Sequence, residues 1–431
     1  MSHAGGRAKA FTLVALTILL TACSRAPEPT APGTREVSLF HYFSFAGSFV
    51  DTMDTLAGAF NQSQQAHHLR ATPIDHESFK VSVRDALVLG NTADLYTYWA
   101  GARTQAMLDT LQPFDDVLPA AQLGKLFSPT LLDSAIRYNG KVYLLPVTQH
   151  YVGFFYNKKL FAAHNLQPPR TWDELLQIGA RLKARGVVPI ALGAKAKWPA
   201  QFWFDYLLLR TAPLEYRERL LSGQASWTDP EVVRVFSLWR ELIRSGLFNH
   251  SPNELEFDSG AAAMVHRGEA AMTLMGTWLI GYFGSTEIGW RENEDYGFFS
   301  FPVIDPALPA VALGPVDGLV LPRSAKNQEG AKAALRHFAG APAQETLSRG
   351  TGSIAPHQDI QDSAYSPLKM AIRQEIRRSA AWAFNYDLAT PPAAAEVGLN
   401  LFAEFLEFPD QYRLLLDRAE DRMKAVFASP P

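Results

Sequence analysis

Aromatic residues gather where strand-like runs end: Tyr42-Phe43-Ser44 after VSLFH, Tyr98-Trp99 after DLYT, and Trp198, in a loop with Lys195 and Lys197, after VVPIAL. Side chains of this kind do non-covalent chemistry. Their faces stack on C–H surfaces while a phenol or indole edge makes one directed hydrogen bond, which suits a ligand with both apolar and polar faces. Covalent and cofactor chemistry leave no signature: the chain has no G-x-S-x-G, H-E-x-x-H, G-x-G-x-x-G or G-x-x-x-x-G-K-[ST]. His67, His68 and His76 could suggest a metal, but their spacing fits no i, i+4 pair and they read as surface histidines. A single cysteine, Cys23, permits neither an internal disulfide nor a cysteine-based zinc site.

These residues need a sizeable scaffold. The 431 residues are 47% hydrophobic, enough for two lobes rather than one core. Lys plus Arg number 40 against 43 Asp plus Glu, a net charge of −3 with no long basic run, so the electrostatic footprint of a nucleic-acid binder is missing.

Alternation of strand and helix patterns supplies the positioning elements. Val37–Phe43, Leu69–Ile74 and Asp94–Tyr98 read as strands; Phe49, Met53, Leu56 and Phe60, then Phe79, Val83 and Leu87, recur at helical spacing, the second helix stopping at Gly90. This order implies an α/β fold with a parallel sheet, and ligands of such sheets sit beyond the carboxyl ends of the strands, where the aromatic clusters fall. A second αβ pattern begins near residue 140: Thr171 and Glu174 form a capping-box spacing ahead of a helix stopped at Gly186, and Val187–Leu192 returns as a strand. From Ala394 to Phe427 the pattern is helical, interrupted at Pro409.

The N-terminus carries Arg7 and Lys9, an apolar run from Ala10 to Leu20, then Thr21 and Ala22 before Cys23, the plan of an export signal. The run is short of the roughly 20 residues that span a bilayer. The tetrad Leu20-Thr21-Ala22-Cys23 resembles the bacterial lipoprotein signal, which implies cleavage after residue 22 and acylation of Cys23. Loss of residues 1–22 removes two cations and no acid, leaving a charge of −5. Residues 23–36, with three prolines and no apolar period, read as a flexible tether. The expected location is outside the cell membrane, lipid-anchored at its outer face or in the periplasm.

Four segments carry a wider resemblance: LPVTQHYVGFFYNKKLF (Leu145–Phe161), PPRTWDEL (Pro168–Leu175), GEAAMTLMGTWLIGYF (Gly268–Phe283) and GSIAPHQD (Gly352–Asp359). Together they resemble the extracellular solute-binding proteins of ABC importers, in the carbohydrate-binding, maltose-binding-protein-like group. The resemblance implies a two-lobed periplasmic-binding-protein-like fold whose discontinuous lobes are joined by hinges. The N-terminal lobe would comprise 37–145 and 306–355, and the C-terminal lobe 146–305 and 356–431. Hinge crossings are expected near Leu144–Val147, Gly314–Leu321 and Ser353–His357. It further implies a monomeric receptor without a cofactor, binding a sugar and delivering it to permease subunits.

On this reading the site would draw Trp278, Trp198, Trp99, Tyr98, Tyr42, Phe43 and Ser44 from strand ends, polar contacts from Asp317, His357, Glu77, His150 and Gln149, and a closing loop of Trp382, Asn385 and Tyr386. Strand alternation lets only one of Tyr98 and Trp99 face the cleft. Relatives that bind small sugars often carry an acidic residue where this chain has Ser48, which points to a di- or oligosaccharide. Two alternatives remain: a glycoside-cleaving enzyme, which needs two positioned carboxylates, and a receptor of the same fold for a polyol or glycerol phosphate.

Overall fold

The computed structural model describes residues 33–44 and 47–428; the signal at 1–22, Cys23 and most of the tether lie outside the described residues. Val37, Leu39 and His41 alternate into the core from the first strand, Arg35–His41. Phe49, Met53, Leu56 and Phe60 are buried from the helix Gly47–Ser63, at the spacing that puts them on one face. Asp75 accepts from the Ser78 amide at 2.9 Å and starts the helix His76–Leu89, which Gly90 ends in the left-handed conformation at φ 69°. That cap places His76, Glu77 and Lys80 beside the carboxyl end of the neighbouring strand.

The N-terminal sheet runs His67–Pro73, Arg35–His41, Leu95–Trp99, Val316–Val320, Leu145–Gln149 across its width. The first three are parallel; Val316–Val320 lies antiparallel between Leu95–Trp99 and Leu145–Gln149, so the sheet is mixed rather than wholly parallel. Its register sets Asp317 opposite both Trp99 and Thr148. A second sheet is ordered Tyr296–Phe299, Val152–Asn157, Ala270–Gly276, Val188–Ala191, with Ala270–Gly276 buried throughout. Thr171 and Glu174 make the capping box of the helix Trp172–Lys183 on this lobe. The C-terminal helices Pro392–Glu407 and Tyr412–Ala428, separated at Pro409, join the same lobe through Phe402 and Phe405, which pack on Phe236 and Trp239. Among the described residues no helix is long and apolar enough to cross a membrane.

The chain passes between the sheets at His150–Tyr151, a little beyond Leu144–Val147, because Leu145–Gln149 still pairs with Val316–Leu319. The return segment runs alongside: the His150 amide donates to Pro315 O at 3.0 Å, and Gln149 and Ile354 exchange backbone bonds of 3.0 and 2.8 Å. A side chain at Gly314 would collide with the His150 carbonyl, so this approach requires glycine.

His41 ends the first strand fully buried, and neither ring nitrogen has a hydrogen-bond partner among the described residues. Burial pushes the ring down to about 4, which the nearby Phe43 backbone only partly offsets. The folded state therefore keeps His41 neutral while the unfolded chain protonates near 6.5, and stability is lost as pH falls from 6.5 toward 4. His41→Leu is expected to match or exceed wild-type stability at pH 7, since it removes two unpaired polar atoms. In urea titrations between pH 6.5 and 4 it should lose about 1.4 kcal/mol less per pH unit than wild type; parallel curves would show that His41 does not titrate on unfolding.

Candidate ligand-binding cleft

Between the sheets lies a cleft of about 60 Å³, lined from the N-terminal side by Tyr42, Phe43, Phe49, His76, Lys80 and Trp99. From the other side come Trp198, Gln201, Phe202, Trp278, Asn385, Asp387 and Leu388, and from the passages between sheets His150, Pro315 and Asp317. A larger groove of about 1020 Å³ lies on the C-terminal lobe, beside Pro168–Arg170 and Phe298–Phe301. Apart from Tyr151, Leu308 and Ala310, its lining comes from segments 165–305 and 371–379, and Val303 is among its exposed residues, so the cleft, walled from both sheets, is the better candidate.

Asp317 forms the floor. The residue is 4% exposed, and its carboxylate accepts from Tyr42 Oη at 2.7 Å and Thr148 Oγ1 at 2.8 Å, with His150 Nε2 at 3.7 Å. Burial pushes its pKa up to about 6 although both hydroxyls pull it down. Burial holds His150 neutral, down to about 3. Thr277 Oγ1 lies 2.9 Å from His150 Nδ1 and accepts from the Tyr151 amide, while His150 Nε2 faces Asp317.

Three tryptophans build the walls. Trp99 is stacked on Tyr42, centroids 4.3 Å apart at 13°, and Arg103 lies over its ring at 5.3 Å. Trp278 begins a helix directly after the strand Ala270–Gly276 and folds back over Gly276, where a β-carbon would collide with the ring. Its ring meets His150 at 5.4 Å, Trp198 at 5.8 Å and Phe202 at 6.1 Å. Trp198 follows Lys197, whose left-handed backbone (φ 63°) turns the loop and whose Nζ reaches Asn400 Oδ1 at 2.7 Å.

Polar contacts join the two sides. Trp198 Nε1 donates to Glu77 Oε1 at 3.2 Å, and Arg103 pairs with Asp387 at 2.9 Å. Burial would raise Glu77, but hydrogen bonds and charge from His76 and Lys80 hold it down to about 2. His76 is pushed to about 4, first by burial and then by Lys80. Helix Gln201–Leu209 fixes the Asn385 loop: Gln201 Oε1 accepts from the Asp387 amide and Asp205 Oδ2 from the Tyr386 amide, each at 2.8 Å. Asn385 Nδ2 then donates to Asp387 Oδ1 at 2.6 Å. Trp278 Nε1 and Asn385 Oδ1 are buried without a partner among the described residues.

Of the residues expected at the site, Trp278, Trp198, Trp99, Tyr42, Phe43, Asp317, His150 and Asn385 line this cleft. Glu77 stands at its rim. The others point elsewhere. Tyr98 alternates away from Trp99, Ser44 donates to Ile74 O at 3.0 Å, and Gln149 pairs its backbone with Ile354. His357 is buried against Phe127, its Nδ1 accepting from the Asp359 amide at 3.1 Å. Trp382 pairs with Ala312 in a two-stranded ribbon, and Tyr386 is in the core, donating to Ala394 O at 2.8 Å. His76, read from the sequence as a surface residue, instead packs against Tyr42, Trp99 and Trp198 because the Asp75 cap starts its helix at the cleft. Lys80, Gln201 and Phe202 gave no sequence signal beyond helical pattern, and Asp387 and Leu388 none beyond their place after Asn385 and Tyr386. Among the described residues no group of three or more His, Cys, Asp or Glu could hold a metal ion.

Residues 46–345 match the family of bacterial extracellular solute-binding proteins. An ABC transporter extracellular-binding protein of Pyrococcus horikoshii is 28% identical over 366 residues, covering 81% of this chain and 79% of that protein. The bacterial solute receptor AcbH, described with an exclusive preference for β-D-galactopyranose, superposes with a TM-score of 0.82 at 25% identity, over 92% of this chain and 100% of that one. A chitin oligosaccharide binding protein shares the fold, with a TM-score of 0.80 at 21% identity over 92% and 100% of the two chains.

Tyr42→Phe keeps the stacked ring and removes one donor from the Asp317 carboxylate. The cost should follow the charge on Asp317: about 2–3 kcal/mol at pH 7.5, where the bond is to an anion, and about 1 kcal/mol at pH 5, where the carboxyl is mostly protonated. Urea denaturation at both pH values measures this; an equal loss at the two would separate Tyr42 from the titration of Asp317.

Proposed function

Because the chain belongs to the bacterial extracellular solute-binding proteins, we propose that it is the sugar-binding receptor of an ABC importer. The observation that carries the reading is the cleft itself: rings from both lobes face one small space, and Trp278 Nε1 and Asn385 Oδ1 at its wall lack partners. Buried polar atoms left unpaired cost about 1–3 kcal/mol each, a cost that a ligand hydroxyl relieves on binding. The cleft carboxylates are already engaged, Asp317 with Tyr42 and Thr148, Asp387 with Arg103 and Asn385. This suits a receptor that returns its ligand unchanged.

In the mechanism proposed, an open form exposes the two ring-lined walls, the sugar settles against Trp278, and contacts to both lobes bias the protein toward the closed arrangement. Two contacts favour closure from within the chain, Arg103 with Asp387 and Trp198 with Glu77. The closed form then engages the permease. The sequence favours a di- or oligosaccharide through Ser48; that residue instead donates to Gly281 O at 3.3 Å, outside the cleft lining, so it carries little about ligand length. Outside the described residues, the Leu20–Cys23 tetrad supports a lipid anchor at the outer face of the membrane.

Trp278→Ala is expected to weaken sugar binding at least 100-fold in titration calorimetry, the loss of a stacked ring and a hydrogen bond together; unchanged affinity would remove Trp278 from the site. Gly101 has φ 87°, and a β-carbon there would collide with the Leu388 carbonyl of the opposite wall. Gly101→Ala should therefore prevent the compaction that saturating sugar produces in small-angle scattering of the wild type. Cys23→Ala should move the protein from the membrane to the soluble exported fraction and abolish labelling by radioactive palmitate; labelling that persists would refute the anchor.

A further inference from the structure

We infer that the cleft takes one sugar ring, a monosaccharide, rather than a chain of linked rings. The inference rests on the sugar-receptor reading and deepens it. The first ground is size. The cleft volume of about 60 Å³ is small, room for a few ordered waters, and leaves no space in this arrangement for two linked rings.

The second ground is where the lobes touch. An oligosaccharide site needs a groove that runs out of the cleft at one end or both. Here contacts between opposite walls stand at the rim. Glu77, next to the lining residue His76, accepts from Trp198 Nε1. Arg103 pairs with the lining residue Asp387, and Gly101 meets the carbonyl of Leu388 with no room for a side chain. Ser48, next to Phe49, donates to Gly281 O. Extending a sugar past any of these points breaks a contact that holds the walls together.

The third ground is the count of hydrogen-bonding groups still free. Trp278 Nε1 is a donor and Asn385 Oδ1 an acceptor, both on residues at least nine-tenths buried. One ring hydroxyl, or two neighbouring ones, satisfies both. Rings that could act as successive platforms are already covered: Tyr42 lies on Trp99, and Trp198 is held edge-on by Trp278 and against Phe257.

Native mass spectrometry of the protein, incubated with an equimolar mixture of aldohexoses, aldopentoses and their common disaccharides, tests the proposal directly. A retained adduct of one ring supports it. A retained disaccharide overturns the size inference and leaves the receptor reading intact, whereas retention of no sugar overturns both. For the retained monosaccharide, Trp278→Phe and Asn385→Ala should each weaken binding about 10-fold in calorimetry, as loss of one hydrogen bond would. Wild-type affinity in both variants would show that these two atoms do not receive the ring.

Discussion

A single carboxylate, buried where the return strand meets the cleft, holds this structure's working parts in register. Asp317 lies between the strands of Trp99 and Thr148, and its two oxygens take the Tyr42 and Thr148 hydroxyls. Tyr42 is thereby fixed flat on Trp99, and His150 is held neutral beside the same group at the passage into the second lobe. Burying a carboxylate without such donors would be costly. With them, its ordinary acidity is only partly restored, and it titrates near 6. One residue thus couples the cleft floor, the ring wall and the segment that must bend if the lobes move.

Closure depends on a second set of interactions with a different balance. Arg103 and Asp387 come from opposite walls and are largely buried once paired, with side chains 21% and 7% exposed. Parting them leaves each free to be solvated, so their pairing favours closure by less than the about 3–5 kcal/mol lost when a buried pair is broken by mutation. The ring contact between the walls, Trp198 with His76, adds about 0.5–1.5 kcal/mol. These sums are modest, which suits a receptor: a chain that closed tightly alone would exclude its ligand, and one with no bias would gain little from binding it.

Much of the fold was legible because it is periodic. The helix carrying Phe79, Val83 and Leu87 and ending at Gly90, the Thr171 capping box and the Pro409 interruption all follow from local rules, and all appear in the structure. The cleft was legible where its residues end strands, since a strand's carboxyl end is fixed by topology. It was not legible where a turn decides direction. Asn385 and Tyr386 are adjacent, yet the first faces the cleft while the second turns into the core beneath Gly398, which has no side chain to obstruct it. His357 failed for the same reason, and His76 was missed because a cap, not a period, sets where its helix begins.

The arrangement of rings explains why a cleft so rich in aromatics offers so little platform. Trp99, Tyr42, Phe79 and His76 contact one another, so the N-terminal wall is already a packed cluster. Its role is to give a rigid surface, and three of its polar groups are already engaged, the Tyr42 hydroxyl with Asp317 and His76 and Lys80 with Glu77. Recognition must then come from the opposite wall, where Trp278 and Asn385 are positioned by Gly276 and by the Gln201 helix. A rigid wall facing a recognising wall is an economical way to close on a small polar ligand: ordering costs fall on one side only, and binding free energy can go into closure.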